Sequence, residues 1–462
     1  MQASTGPASS RHSLCRIARP VLLAVALACG AASPAAAAGD RDVAPAVAVN
    51  SPLASAIAGR VPSALRSFYA QRKFEPLWLD RQGEPRAALH DLIEQVAEAR
   101  IDGVNPARVK ARGLLSALDK AAGGDPDSAA KAELAASRLF VAWVQALRSA
   151  PAAPMEYESA ALAPVIPTAE SALQSAARAA SLEGYISAMG WMHPFYAPLR
   201  AALADPDRSD DDRRRLALNL ERVRALPAMA SGRYVLVDAA GARLWMMENG
   251  RPAGSMKVVV GKADNQTPMM AGFIRYATLN PYWNVPVDLV QQRVAPNVLD
   301  KGLGYLKTSG YQVLSGWEDD ARLIDPATID WQAVAAGTEQ LRVRQLPGGD
   351  NFMGKVKFEF PNPQGIYLHD TPAKDLMRKD ERQFSSGCVR LEDAGRLGRW
   401  LMGKPLPRKV NGVEQRMTLA EPVPVYITYL TALPDPTSRT IAYQADPYGR
   451  DGDTQRLATA LR

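Results

Sequence analysis

The hydrophobic pattern of this chain changes its period once, near Ser231. Before that point apolar residues recur every three or four positions. After it they fall into short runs closed by turn residues. A 3.6-residue period puts an apolar stripe along one side of a helix, whereas a two-residue period puts alternate side chains on one face of a strand. One repeated architecture cannot satisfy both. The expected fold class is therefore α+β, with an N-terminal helical domain followed by a mixed, mostly β domain.

In the first half Leu89, Leu92, Ile93 and Val96 share one helix face, as do Leu139, Phe140, Trp143 and Leu147. Further helices are expected at about 169–182 and 195–204. The charged run 205–212, DPDRSDDD, reads as a linker. Leu216, Leu220, Val223 and Leu226 then form another helix face, started by Ser209 or Asp212 and ended by Pro227. In the second half Tyr234–Val237, Arg243–Glu248 and Met256–Val260 read as strands. Asn249-Gly250 between two of them is a strong hairpin signal, because both residues tolerate positive φ. A last strand is expected at Val423–Tyr429. A long connection between Pro286 and Leu346 reads as a surface excursion, and long loops beside a rigid core often act as lids.

The start reads as a secretory signal over 1–38. Arg11, Arg16 and Arg19 precede an apolar core at Val21–Ala28, and Ala36-Ala37-Ala38 suits cleavage. The apolar run is too short to span a bilayer. The organisation expected is signal 1–38, flexible lead-in 39–60, helical scaffold 61–205, linker helix 206–227, mostly β domain 228–430 with an excursion at about 287–345, and a poorly ordered tail 431–462. Export follows, with lipid anchoring at Cys29 the lesser expectation. The formal charge of +7 falls to about +4 once the signal is removed, and no basic stripe interleaved with aromatics marks a nucleic-acid partner. No Walker loop or dinucleotide fingerprint occurs. His90 and His193 lack a second ligand at metal spacing, and no further His supports a metal site at His369-Asp370. No metal and no cofactor are expected.

The three cysteines are Cys15, Cys29 and Cys388, so cleavage leaves Cys388 without a disulfide partner. An unpaired thiol in an oxidising compartment is a candidate reactive group. A lone cysteine is also a common small buried apolar residue, so the surroundings decide. Cys388 lies in Ser385-Ser386-Gly387-Cys388-Val389-Arg390, with His369 upstream in YLHDTP. His369 can act as a base for the thiol. Ser386-Gly387 suits a tight turn whose backbone N–H groups face a substrate oxygen, and Arg390 adds a fixed positive charge. Leu391, Ala394, Leu397 and Leu401 space like a helix following Cys388, with Glu392 and Asp393 in its first turn. A cysteine near such an N-terminus would have its thiolate stabilised. Strand-like Lys355–Phe360 and Ile366–Leu368 could bring His369 beside the Cys388 turn, with sulfur and nitrogen roughly 3–4 Å apart.

HDTP at 369–372 and SSGCVR at 385–390 resemble the active-site signature of the L,D-transpeptidases, the YkuD-type catalytic domain. NLERVRALP at 219–227, VVVGKADNQTP at 258–268, NPYWNVP at 280–286 and LPGGDNFMGKVKFEFPN at 346–362 resemble the larger YcbB-type branch. The resemblance implies a bacterial enzyme acting on peptidoglycan stem peptides without a cofactor. Cys388 would be the nucleophile and His369 the base. Gly387 and Cys388 N–H groups would hold the oxyanion, helped by Tyr367, while Ser386 shapes the turn and Arg390 supports the site or a substrate carboxylate. The product would be a 3→3 cross-link, and carbapenems would acylate Cys388. The excursion would cap the cleft, and other cell-wall synthesis proteins are conceivable partners. Water as acceptor would instead give an L,D-carboxypeptidase, or an amidase releasing wall-anchored lipoprotein. A third reading is a wall-binding protein with a vestigial site. The chain departs from the branch at 205–212, where about ten residues leave no room for a separate peptidoglycan-binding module.

Overall fold

The computed structural model describes residues 51–452 apart from 110, 150, 152, 229–231, 319, 408, 409, 411 and 436–439. The expected signal segment lies outside the described residues. A helical layer comes first, and its centre is the helix Pro126–Leu147. Asp125 caps it by accepting from the N–H groups of Asp127 and Ser128, and Pro126 fits the first turn, where its missing N–H costs nothing. Its Glu133 is fully buried yet satisfied: it accepts from the backbone N–H groups of Leu77, Trp78 and Leu79 at 2.7–3.0 Å and from the Tyr69 hydroxyl at 2.6 Å. The aromatic segment 68–80 is thus tied down as core, through hydrogen bonds that offset the cost of burying a carboxylate.

The second half forms a sheet that closes on itself. Round the ring the order is Met270–Leu279, Gln415–Thr428, Arg233–Asp238, Arg243–Glu248, Arg251–Gly261, Val389–Leu391, Leu368–His369 and Val356–Glu359, which returns to Met270–Leu279. Asn249 and Gly250 make the turn between two antiparallel strands at φ 48° and 75°. Alternation along Arg233–Asp238 explains its unbroken apolar run. Tyr234 and Leu236 join the helical core on one face, and Val235 and Val237 join the ring's own core on the other. The helical layer and the ring are consequently cemented by one continuous set of buried side chains, including Trp245, Met247 and Tyr426. The helix Ala394–Met402 contributes Ala394, Leu397 and Leu401 to the ring's core.

The excursion has a core of its own. Trp283–Val285, Arg342–Gln345 and Tyr311–Leu314 form a three-stranded antiparallel sheet. Short helices at Val287–Leu289, Ala295–Lys301, Gly304–Thr308 and Trp331–Ala335 pack on it through Val298, Leu306, Trp331 and Val334.

Two expectations fail at the ends. Residues 52–60 are not a flexible lead-in: Pro52–Arg60 is a helix capped by Ser51, and it buries Leu53, Ala54 and Ile57. Nor is the tail loose as far as residue 452. Ala432–Pro434 pairs with Ile441–Tyr443, Arg222 of the helix Asp210–Arg224 pairs with Asp451 at 2.8 Å, and Tyr448 stacks on Tyr429 with ring centroids 5.2 Å apart. The Tyr448 hydroxyl donates to the Gly261 carbonyl at 2.7 Å and accepts from the Thr267 N–H at 3.3 Å. Tyr448→Phe is therefore expected to lower stability by about 1–3 kcal/mol in urea titrations, because both ring-edge groups lose a buried partner. Unchanged stability would show that the tail is not fastened through this hydroxyl.

Candidate active site

The strand Leu368–His369 runs parallel to Val389–Leu391, with Leu368 opposite Val389 and His369 opposite Arg390. Extending that register by one residue sets Tyr367 across from Cys388, and the Val389 N–H donates to the Tyr367 carbonyl at 2.9 Å. Side chains alternate between sheet faces, so Leu368, Val389 and Leu391 point into the ring's core. Tyr367, His369, Cys388 and Arg390 consequently share the opposite face. Two paired strands set four residues singled out from sequence on one face, but the expected sulfur–imidazole hydrogen bond is not formed among the described residues: the Cys388 sulfur is bonded to the Gly365 carbonyl instead.

The turn before Cys388 is built from side chains as much as from glycine. The Ser385 hydroxyl donates to the Cys388 carbonyl at 2.5 Å and accepts from the Gly387 N–H at 3.2 Å. Gly387 sits at φ +109°, and a Cβ there would lie 3.1 Å from Ile366 Cδ1. Both facts favour glycine. The Thr267 hydroxyl, which accepts from Gly261 N–H at 2.8 Å, donates to the Gly387 carbonyl at 2.7 Å. Thr267 is fully buried and fixes the far side of the turn. Sequence reasoning quoted the stretch that contains it but gave it no role, since its partner is 120 residues away. Ser386 is exposed. With its N–H committed to Ser385, Gly387 is not a free oxyanion donor in this state.

His369 is 4% exposed. Its Nδ1 lies 2.6 Å from the Asp370 carbonyl oxygen. A carbonyl only accepts, so Nδ1 carries the proton and Nε2 keeps the lone pair a base requires. Asp370 is itself pinned: its carboxylate accepts from Lys374 Nζ at 2.7 Å and from the Lys355 N–H at 2.9 Å. Burial, and secondarily the charge of Arg390, pushes the imidazole down to about 4. Cys388 is half-buried, and its thiol donates to the Gly365 carbonyl at 3.6 Å. Burial pushes this thiol up, against smaller opposing pulls from the Tyr367 backbone and Arg390. The expected helix N-terminus does not help. A strand intervenes, and the helix begins at Ala394 with Asp393 as its cap.

The resting site thus holds a neutral thiol and a neutral imidazole, not an ion pair. Alkylation of Cys388 by iodoacetamide is expected to rise steadily from about pH 6 to beyond about pH 9, following the thiolate of an ordinary or weaker acid. A rate already flat near neutrality would mean that the thiolate is preformed.

Around the site, Tyr367 packs against the core of the excursion, and burial raises its phenol, with Glu359 and Cys388 adding to the effect. His193 lies elsewhere, buried and 3.0 Å from the Tyr234 hydroxyl, and His90 is exposed. Among the described residues no cluster of three or more His, Cys, Asp or Glu could hold a metal ion, and no helix is long and apolar enough to cross a membrane.

Residues 232–427 match the family model described as the L,D-transpeptidase catalytic domain (YkuD), and residues 63–203 match the model described as a scaffold domain. A Haemophilus influenzae protein named "Putative L,D-transpeptidase" is 27% identical over 399 residues, spanning 84% of this chain and 78% of its own length. Two solved structures show a looser likeness. The first, titled as the Ldtfm-avibactam carbamoyl enzyme, has 12% identity and a TM-score of 0.21 over 44% of this chain and 51% of its own. The second, titled as the L,D-transpeptidase from Mycobacterium smegmatis, has 11% identity and a TM-score of 0.21 over 42% of this chain and 59% of its own. This chain thus spans little more than half the length of either solved structure.

Proposed function

We propose that this chain, whose residues 232–427 match the L,D-transpeptidase catalytic-domain model, forms 3→3 cross-links between peptidoglycan stem peptides through a thioester on Cys388. The observation that carries this reading is the shared face of Tyr367, His369, Cys388 and Arg390, with a base-form nitrogen on His369. As the sulfur attacks the carbonyl carbon of the third stem residue, the thiol proton passes to Nε2 of His369. The tetrahedral intermediate collapses, the C–N bond breaks, and the departing D-alanine amine takes that proton back. The side-chain amine of a second stem then attacks the thioester. His369 accepts its proton and returns it to the sulfur as the C–S bond breaks. No redox partner or metal enters the balance.

The oxyanion falls to the Cys388 N–H and the Tyr367 hydroxyl, since Gly387 N–H serves Ser385. One such donor is worth about 3–4 kcal/mol in the transition state. Weak acidity of the thiol suits this scheme, because the proton moves only when substrate is present and the resting sulfur is protected from adventitious oxidation. A signal at 1–38 would place the enzyme in the periplasm, beside its substrate and other wall-synthesis proteins.

The test is incubation of the purified chain with disaccharide-tetrapeptide, followed by mass spectrometry. A dimer lacking one D-alanine is the expected product. Tripeptide alone would assign water as acceptor and make the protein an L,D-carboxypeptidase. Absence of any product would sink both readings and leave a wall-binding role.

A further inference from the structure

We infer that Arg390 of the sheet and Arg293 of the cap form a two-guanidinium clamp for the terminal carboxylate of the donor peptide. The inference rests on the peptide-substrate reading above and adds a residue from the excursion to the site.

Arg390 stands two residues beyond Cys388 on the same face, and its charge is felt at the sulfur. It is largely enclosed, and its Nε is buried without a hydrogen-bond partner. Buried donors of this kind are rare in folded proteins and mark positions where a partner is missing. The cationic neighbour acting on Arg390 is Arg293. Arg293 lies in a single π turn, Val290–Val294, set within the helical run of the cap. Such turns widen a helix locally and are frequent at functional sites. Its guanidinium lies 4.5 Å from the centre of the Phe352 ring, which packs 4.6 Å from Trp283. Phe352 and Tyr367 both border the cap's core, which ties the Arg293 side of the cap to the strand that carries His369.

The two like charges repel. Among the described residues neither forms an ion pair with a carboxylate. Lys357, the other cation close to Tyr367, is already paired with Glu359 and Glu414 at 3.5 Å each. The arrangement is therefore short of one anion. Planar guanidiniums bind carboxylates through paired, charge-assisted N–H donors, which a neutral amide does not match. In a donor tetrapeptide the scissile carbonyl is followed by one residue that ends in a carboxylate. That carboxylate lies roughly 4 Å along the chain from the reacting carbon, close to one residue's span. Seating the carbonyl on Cys388 places it beside Arg390. Its charge relieves the repulsion and draws the cap inward. Once the D-amino acid leaves, the repulsion returns and the cap opens for the acceptor.

The test uses the full chain carrying Cys388→Ala, which binds donor without consuming it. Calorimetry compares disaccharide-tetrapeptide with the same molecule ending in a carboxamide. The acid is expected to bind about tenfold tighter or more, the scale of a charge-assisted pair. Adding Arg293→Gln should bring the two affinities together by weakening the acid alone. Arg293 is exposed, so the fold survives its replacement. An acid preference that Arg293→Gln leaves intact, no preference at the outset, or binding of neither peptide would overturn the clamp. Equal affinities alongside normal cross-linking by the wild type would sink the clamp and spare the proposed function. Carboxylate-selective binding with no product from the wild type would do the reverse.

Discussion

Cys388→Ala protein is expected to yield no dimer and no tripeptide from disaccharide-tetrapeptide, and to take up no carbapenem by intact-mass analysis, while its melting curve stays close to wild type. The fold should survive because the side chain is small, half-buried and bonded only weakly to the Gly365 carbonyl. The chemistry should not survive, because no other thiol exists after residue 29 and a serine hydroxyl at Ser385 is already tied to the Cys388 carbonyl. His369→Gln is the graded companion. It keeps a hydrogen-bonding group beside the Asp370 carbonyl but removes the base, and acylation should slow by about 10²–10⁴-fold. Burial matters to the sign of the pH effect. The folded imidazole titrates near 4, below its ordinary value, so the unfolded chain takes up the proton first as pH falls. The stability contributed by the neutral imidazole is therefore present at neutral pH and lost between about pH 6.5 and about pH 4, whereas the folded protein keeps the neutral base down to about pH 4. Stability measured by urea at pH 7 and pH 4 should fall less in His369→Gln than in wild type. A Cys388→Ala protein with residual cross-linking would end the mechanism proposed here.

The parts of this molecule that could be read from sequence are those whose stability is local. The Asn249-Gly250 hairpin, the run from Tyr234 to Val237 and the Leu139-to-Leu147 helix face each carry their period within a few residues. The helix Pro52–Arg60 and the tail strands do not. They are short, and what holds them is burial of Leu53 and Ile57 in one case and contacts of Tyr448 and Asp451 with distant residues in the other. Ring closure was equally hidden, since pairing of Met270–Leu279 with Val356–Glu359 joins segments separated by the whole excursion. The site divides the same way. Cys388, just before a short strand, and Arg390 within it are two residues apart, so a two-residue period places them on one face. Thr267 and Arg293 reach the site from remote stretches, and only the fold assembles them. The inference of a helix N-terminus behind Cys388 failed because the apolar spacing from Leu391 began in a strand and became helical only at Ala394.

The cap supplies the second large effect. Val285 pairs with Val343 and Asn284 with Arg344, so the two ends of the segment between them lie side by side. Residues 287–340 can therefore be replaced by an Asn-Gly turn that closes the remaining strands as a hairpin. The ring's core shares no buried residue with the cap's core, and Tyr367 and Met353 stay in place beside His369. The shortened protein is expected to melt cooperatively with the far-ultraviolet spectrum of a folded chain. Alkylation of Cys388 by iodoacetamide should persist, since a small probe needs no cap. Acylation by the tetrapeptide donor should fall by about 10²-fold or more, because Arg293 leaves with the excised segment and the peptide is no longer held against the sulfur. The contrast between probe and peptide is the informative quantity. Loss of both with an unfolded spectrum would make the excursion part of the folding core. Retention of both would mean that the ring alone positions the donor, and that the cap serves something other than the reaction.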